Sequence, residues 1–250
     1  MKQFILLLAI AGAVFSSCKK AKIKEGETPV FKKNLVALKP EGESKWLFYY
    51  NDNQHLLSFT SISRTVSYKP GVPFSAKKIE LGFPNEDFKN AVQDAAGRLV
   101  KLDAYSGAVL KGKFEFTYNA QGYLTTAVKT VANPYKVSSY SYEYSNGNLI
   151  SVTASSNGIK EGSYEFSYFT DRYNPLNIDL FDFKTVGMIT DGHFGKQSIN
   201  LVKQARMLSK NGQAAFELNF SYQTNAEGYL TTITVSPLGS APQQFLCTFE

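Results

Sequence analysis

The feature that most restricts what this chain can become is a recurring run of aromatic residues at every second position, closed by a polar turn and a leucine. It recurs as FYYNDNQHLLSF from Phe48, FEFTYNAQGYLTTAV from Phe114, YSYEYSNGNLISVT from Tyr140 and LNFSYQTNAEGYLTTITV from Leu218. VQDAAGRLVKL from Val92 is a shortened copy and YEFSYFTDRYNPLNI from Tyr164 a stretched one. Phe114, Phe116 and Tyr118 alternate with Glu115, Thr117 and Asn119, and Tyr140, Tyr142 and Tyr144 alternate with Ser141, Glu143 and Ser145. A period of two puts every ring on one face of a ribbon and every polar group on the other. Asn- and Gly-bearing turns supply the positive φ of tight hairpins, and the Thr, Ile and Val after them favour extended backbone.

The turn-exit leucines Leu99, Leu124, Leu149 and Leu176 are 25, 25 and 27 residues apart, and Leu176 precedes Leu230 by 54. That interval accommodates one hairpin and its connection. Only Asn85 to Ala96 and Ser198 to Leu208 offer weak helical spacing. The fold class is therefore all-β: an antiparallel hairpin meander of about twelve strands. Its aromatic face is too large to leave in water, so the sheet should curl into a closed or nearly closed barrel, with a two-sheet β-sandwich as the alternative. Pro70, Pro73 and Pro84 mark a loop or irregular edge, and Asp182 to Lys196 breaks the pattern as an insertion crossing one barrel end. Trp46 should pack at the start of the first strand.

The N-terminus, MKQFILLLAIAGAVFSSCKK, joins one lysine to an apolar run from Phe4 to Phe15, then two serines and a cysteine. It reads as a secretory signal peptide, too short in its apolar part to span a ~30 Å hydrocarbon core as a helix. The Ser16-Ser17-Cys18 junction resembles the lipobox of bacterial lipoproteins, which implies cleavage before Cys18 and acylation of its sulfur; an ordinary secreted protein is the alternative. The expected organisation is residues 1–17 as signal peptide, 18–30 as lipidated flexible tether and 31–250 as a single β-rich repeat domain. Without Lys2, Lys19, Lys20, Lys22 and Lys24, and with Glu25 and Glu27 also left to the tether, the net charge falls from +6 to +3, so the body has little electrostatic footprint for nucleic acid. With Cys18 lipidated, Cys247 has no disulfide partner and reads as a small buried hydrophobe.

The units DAAGRL (Asp94 to Leu99), YNAQGYL (Tyr118 to Leu124) and YSNGNL (Tyr144 to Leu149) resemble the YD-type hairpin units of Rhs proteins. Together with the lipobox and GHFGKQSINLVKQ (Gly192 to Gln204), the whole chain is similar to a group of Bacteroidota lipoproteins without an assigned activity. The resemblance implies a barrel-like or porin-like fold and carries over no catalytic residue. In that phylum, surface export is associated with acidic residues after the lipidated cysteine. Here Lys19, Lys20 and Lys22 follow it, which implies the periplasmic face of the outer membrane.

Candidate chemistry is sparse. His193 lies two residues after Asp191, without a G-x-S-x-G elbow to supply a nucleophile, and reads as a turn residue. His55 stands at a turn position where other copies have glycine. Glu115, Glu143 and Glu165 occupy equivalent positions before an aromatic and could line up on neighbouring strands, as paired acids do in glycosidases or as a solvated outer face does. No metal-ligand spacing or phosphate-cradling loop is present. We therefore expect no enzyme, no catalytic residue, no cofactor and no metal. The expected protein is a lipid-anchored envelope binding or scaffold protein, its membrane partner held through Cys18. Its ligand would be apolar or glycan-like against an aromatic interior, or its partner another envelope protein. A hydrolase is less favoured, as is a transmembrane barrel, whose last residue is generally aromatic where this chain ends on Glu250.

Overall fold

The computed structural model describes residues 30–61, 63–69, 74–132, 134–176, 178–180 and 192–250. Residues 1–29, which carry the expected signal peptide, Cys18 and all of the expected tether but Val30, lie outside them, as do Pro70, Pro73 and Asp191.

Sixteen antiparallel strands follow one another around a closed barrel, four more than the copies suggest. The first eight are β1 (Leu35–Pro40), β2 (Trp46–Tyr50), β3 (Leu56–Thr60), β4 (Arg64–Lys69), β5 (Ser75–Glu80), β6 (Glu86–Gln93), β7 (Leu99–Ser106) and β8 (Val109–Tyr118). The second eight are β9 (Leu124–Ala132), β10 (Tyr135–Ser145), β11 (Asn148–Ser156), β12 (Ile159–Tyr173), β13 (Asn200–Ser209), β14 (Ala214–Thr224), β15 (Leu230–Pro237) and β16 (Gln243–Phe249). β1 pairs with β16 from Leu35↔Phe249 to Pro40↔Phe245, and Asn34 and Glu250 exchange two backbone hydrogen bonds at 2.8 and 3.0 Å beyond them. That seam satisfies the two edges a meander would otherwise leave open.

Both weak helical candidates are strands. Asn85 to Ala96 contains β6, which pairs with β7, and Ser198 to Leu208 contains most of β13, between β12 and β14. Their backbone groups are claimed on both sides by ladders, which outweighs a faint 3.6-residue period. β1 carries no aromatic and escapes the repeat, so Trp46 opens the second strand, edge-on to Phe59 at 5.9 Å and Phe245 at 5.6 Å. Between the first two copies the described residues form a turn rather than an irregular edge: β4, β5 and β6 continue the meander, and Pro84 lies in the turn after β5.

The alternation does set the wall. Along β8, Gly112, Phe114 and Phe116 are buried while Lys111, Lys113, Glu115 and Thr117 are exposed. Tyr142 and Phe166 are buried in β10 and β12, flanked by exposed Ser141, Glu143, Glu165 and Ser167. Rings thus fill the inside and charge covers the outside. Outward neighbours pair across strands: Lys101–Glu115 at 3.5 Å, and Arg206 to Glu165 at 3.6 Å and Glu217 at 3.7 Å.

Candidate functional site

Four turns at one end of the barrel share one construction. In Asn51–His55, Asp94–Arg98, Asn119–Tyr123 and Asn225–Tyr229, the first residue's amide donates to the carbonyl of the fifth at 2.9–3.0 Å. Its side-chain oxygen accepts the fifth residue's amide at 2.9–3.0 Å. The fourth residue takes positive φ: 77°, 90° and 89° at Gly97, Gly122 and Gly228, and 64° at Gln54. Gln54, not His55, therefore stands where the other copies have glycine; His55 matches Arg98, Tyr123 and Tyr229 and is exposed. The leucine after each turn, Leu56, Leu99, Leu124 and Leu230, is at most 1% exposed.

Leu176 is not such a leucine. β12 runs on to Tyr173, and the stretched copy enters an excursion to β13 rather than a hairpin. Its described parts seal this end. Asn174 N donates to Ile199 O at 2.9 Å, and Ile199 N to Gly147 O at 3.2 Å. Lys196 N donates to Gly122 O at 3.1 Å beside a Tyr123↔Gly195 bridge, and Leu99 N donates to His193 O at 2.9 Å. Leu176, Ile178, Leu180 and Phe194 are buried in the same core as the wall. Phe194 meets Phe116 at 5.0 Å, and the His193 ring meets Phe74 at 4.5 Å. His193 is thus buried against an aromatic ring, its carbonyl used by the backbone, while Asp191 lies outside the described residues.

A second recurring device fastens the wall beneath this cap. Tyr50, Tyr118, Tyr168 and Tyr222 each donate the phenol O–H to a carbonyl on the preceding strand, of Leu35, Leu99, Leu149 and Val202, at 2.6–3.0 Å. Burial raises the pKa of Tyr118, Tyr168 and Tyr222, so each stays a donor. Tyr144 breaks the series: its buried hydroxyl has no partner among the described residues, and its ring packs tilted by 34° against Tyr123 at 4.6 Å. It lines a cavity of about 50 Å3 between cap and wall, with Tyr168, Asp179, Ser198 and Asn200. Burial, then the nearby Asp179 carboxylate, raises its pKa as well. This space suits ordered water, since a water occupies ~30 Å3 of liquid volume, and is too small for a sugar ring.

The sequence-derived acids do not meet. Glu143 and Glu165 both sit opposite Ser151, two strand spacings or about 10 Å apart. Glu115 sits opposite Val128, and Val128 opposite Ser139, which places Glu115 about 13 Å farther along the wall from Glu143. The three occupy alternate strands rather than neighbouring ones, all facing outward and exposed. Cys247 is half-buried with Sγ 3.9 Å from Phe245 O, and burial pushes its thiol up to about 12, so it is a weak nucleophile at neutral pH. Among the described residues no group of three or more His, Cys, Asp or Glu side chains could hold a metal ion.

No family model and no curated protein matches this sequence. Solved structures do. A porin-like protein from Bacteroides uniformis superposes with a TM-score of 0.66 at 15% identity, over 89% of this chain and 98% of that one. A porin-like protein from Bacteroides vulgatus gives 0.59 at 12% identity, over 86% and 98%. The chain has a porin-like barrel fold. At these identities the likeness concerns fold alone.

Proposed function

We infer that this chain is a scaffold or interaction barrel of the envelope, tethered by lipid at Cys18 on the periplasmic face of the outer membrane, and not a pore or an enzyme. The observation that carries the reading is the charged outer wall. Lys101, Lys111, Lys113 and Glu115 on β7 and β8, and Glu165, Arg206 and Glu217 farther round, project where a membrane-spanning barrel presents an apolar band. A barrel built this way stands in water and needs a separate anchor. Two or more acyl chains on Cys18 would supply it, at about 0.8 kcal/mol per buried CH2.

Of the two roles weighed from the sequence, the scaffold is favoured over an interior ligand carrier. Phe88, Phe114, Phe116, Phe194 and Phe220 occupy the inside, the cavity under the cap is only about 50 Å3, and a larger hollow of about 620 Å3 beside β1 and β2 is lined by polar Asn34, Lys45, Asn51, Asp52 and Glu250 as well as by rings. The dispersed outward acids lend no support to a hydrolase.

Radioactive palmitate should label the wild-type protein and not Cys18→Ala; an unlabelled wild type would end the anchored reading. The chain from Cys18 onward with Cys18→Ser should stay soluble without detergent and pass no current in planar bilayers. Stepwise conductance would overturn the water-standing barrel.

A further inference from the structure

The two ends of the barrel are finished differently, and the end away from the cap carries apolar side chains at the tips of its turns. Leu81 and Phe83 lie between β5 and β6, Val109 follows the β7–β8 turn, Tyr135 the β9–β10 turn and Ile159 the β11–β12 turn, and Leu238 begins the β15–β16 turn. Their exposure runs from 58% at Val109 to 80% at Leu81. From β5–β6 to β11–β12 these turns are neighbours around one rim, two strand spacings or about 10 Å apart, and the β15–β16 turn lies four spacings beyond, past the polar β13–β14 turn. At the capped end the turn tips read Asp52-Asn53, Ala95-Ala96, Ala120-Gln121 and Ala226-Glu227 instead. Tyr49, Leu57, Val92, Ile150, Phe216 and Leu246 are also exposed elsewhere on the wall, at 37–53%. Single exposed hydrophobes need no explanation, but among the described residues every large one more than 55% exposed, Val30 apart, lies at this rim.

We propose that this rim docks on an anionic lipid surface, its apolar tips entering between headgroups. Charge points to that occupant. From β7 to β14 the rim carries Lys111, Lys136, Lys160 and Lys210, all exposed, against Glu161 alone. Lys111, Lys136 and Lys160 each stand one or two residues past an apolar tip, so the stem lies along the boundary while the ammonium stays among phosphates. The tips are separate prongs rather than the packed, contiguous core of a protein interface, and prongs beside cations suit a soft, charged surface. Farther round, Arg64, Glu80, Lys78 and Glu86 are joined to one another by contacts of 2.8, 2.8 and 3.5 Å, and the β1–β2 turn adds exposed Glu41, Glu43 and Lys45, so the positive excess lies on the β7–β14 arc.

The proposal deepens the anchored reading by naming the surface that would fix the barrel's orientation once Cys18 is held.

The test uses the chain from Cys18 onward with Cys18→Ser, so that no acyl chain contributes and the tether is the same in every sample. It is sedimented with vesicles of phosphatidylethanolamine and phosphatidylglycerol, and with vesicles of phosphatidylcholine alone. Binding is expected to the anionic vesicles and to weaken with salt. Combined Leu81→Ser, Phe83→Ser, Tyr135→Ser, Ile159→Ser and Leu238→Ser should lower partition at least about tenfold. Lys111→Gln, Lys136→Gln and Lys160→Gln together should lower it by a similar factor, at about fivefold per charge as an upper bound. The Ser variant should keep the parent's urea midpoint, since each side chain replaced is exposed. A parent that does not bind anionic vesicles overturns the proposal, as does a Ser variant that binds like the parent. A parent that self-associates through the rim without binding vesicles overturns it too, in favour of a protein partner. Palmitate labelling at Cys18 is read separately, so failure here and failure of the anchor are told apart.

Discussion

The capped rim and the far rim are made from the same strands by opposite means. At the capped rim, four turns five residues long fold an Asx side chain back onto the backbone and bury the leucine that follows, and Gly122, the tight-turn Gly147 and Leu99 bond to the chain that crosses over them. At the far rim, tight turns such as Gly107-Ala108 and Asn157-Gly158 end strands and hand their apolar residues to solvent. One rim is thus part of the core and the other is surface. The contrast teaches that a hairpin repeat fixes the wall, while the turns decide what each end is for.

The contrast breaks most visibly at the leucines. Leu99→Ala or Leu124→Ala should cost about 2–5 kcal/mol in urea unfolding, because each deletes a fully buried side chain. Leu81→Ala or Leu238→Ala at the other rim should stay within about 0.5 kcal/mol. Equal losses at both rims would abolish the distinction.

Glycines sharpen it next. A Cβ on Gly195, at φ 75°, would lie 2.5 Å from Gly122 O and 3.0 Å from the Tyr118 ring, whereas one on Gly158, at φ 81°, meets nothing within 4 Å. Gly158→Ala should cost about 1–2 kcal/mol for the left-handed backbone alone. Gly195→Ala should add about 1–3 kcal/mol from the clash and expose the Lys196 amide to hydrogen exchange.

The tyrosine series offers a finer comparison beneath the cap. Tyr168→Phe strands the Leu149 carbonyl and should cost about 1–2 kcal/mol. Tyr144→Phe, whose hydroxyl has no partner among the described residues, should lie near zero.

Acid is expected to act on both rims and so makes the smallest distinction. Asp94 at the capped rim is raised by burial, but hydrogen bonds from the Arg98 side chain and from the amides of Arg98 and Ala96 outweigh this and hold its pKa low. At the far rim, hydrogen bonds from Lys78 and then Arg64 hold Glu80 low, against a smaller opposing effect of burial. A folded pKa below the unfolded one makes each contribution complete above the unfolded value, near pH 4, and lost as pH falls through the folded value. Asp94→Asn and Glu80→Gln should each flatten the acid limb of a stability profile between about pH 4 and 2. A profile unchanged in both variants would show that these pairs do not couple to folding.

Much of the wall was legible in the residues, because counting by twos is a local property: Phe114, Phe116 and Tyr142 face inward as their alternation requires. The strand number was not legible, since β1, β4 and β5 carry few aromatics and owe their pairing to neighbours on both sides. The candidate site was less legible still. Asn119 and Asp94 announced turns, but nothing along the chain says that Gly122 and Leu99 exchange backbone bonds with Lys196 and His193, because those partners are some 70 to 95 residues away. The outward glutamates illustrate the same limit: equivalent places in a repeat are not adjacent places on a barrel.

The sequence by itself determined a sheet with rings on one side and charge on the other, because a two-residue period sorts side chains whatever the strand pairs with. Only the tertiary structure decided that the sheet closes at sixteen strands through β1 and β16. It alone made the excursion after β12 a cap, left Tyr144 facing a small cavity, and drew the apolar turn tips onto one rim. Closure, capping and rim identity are relations between segments far apart in the chain. Their free energy comes from edges joined and surface removed from water, quantities that no local pattern contains.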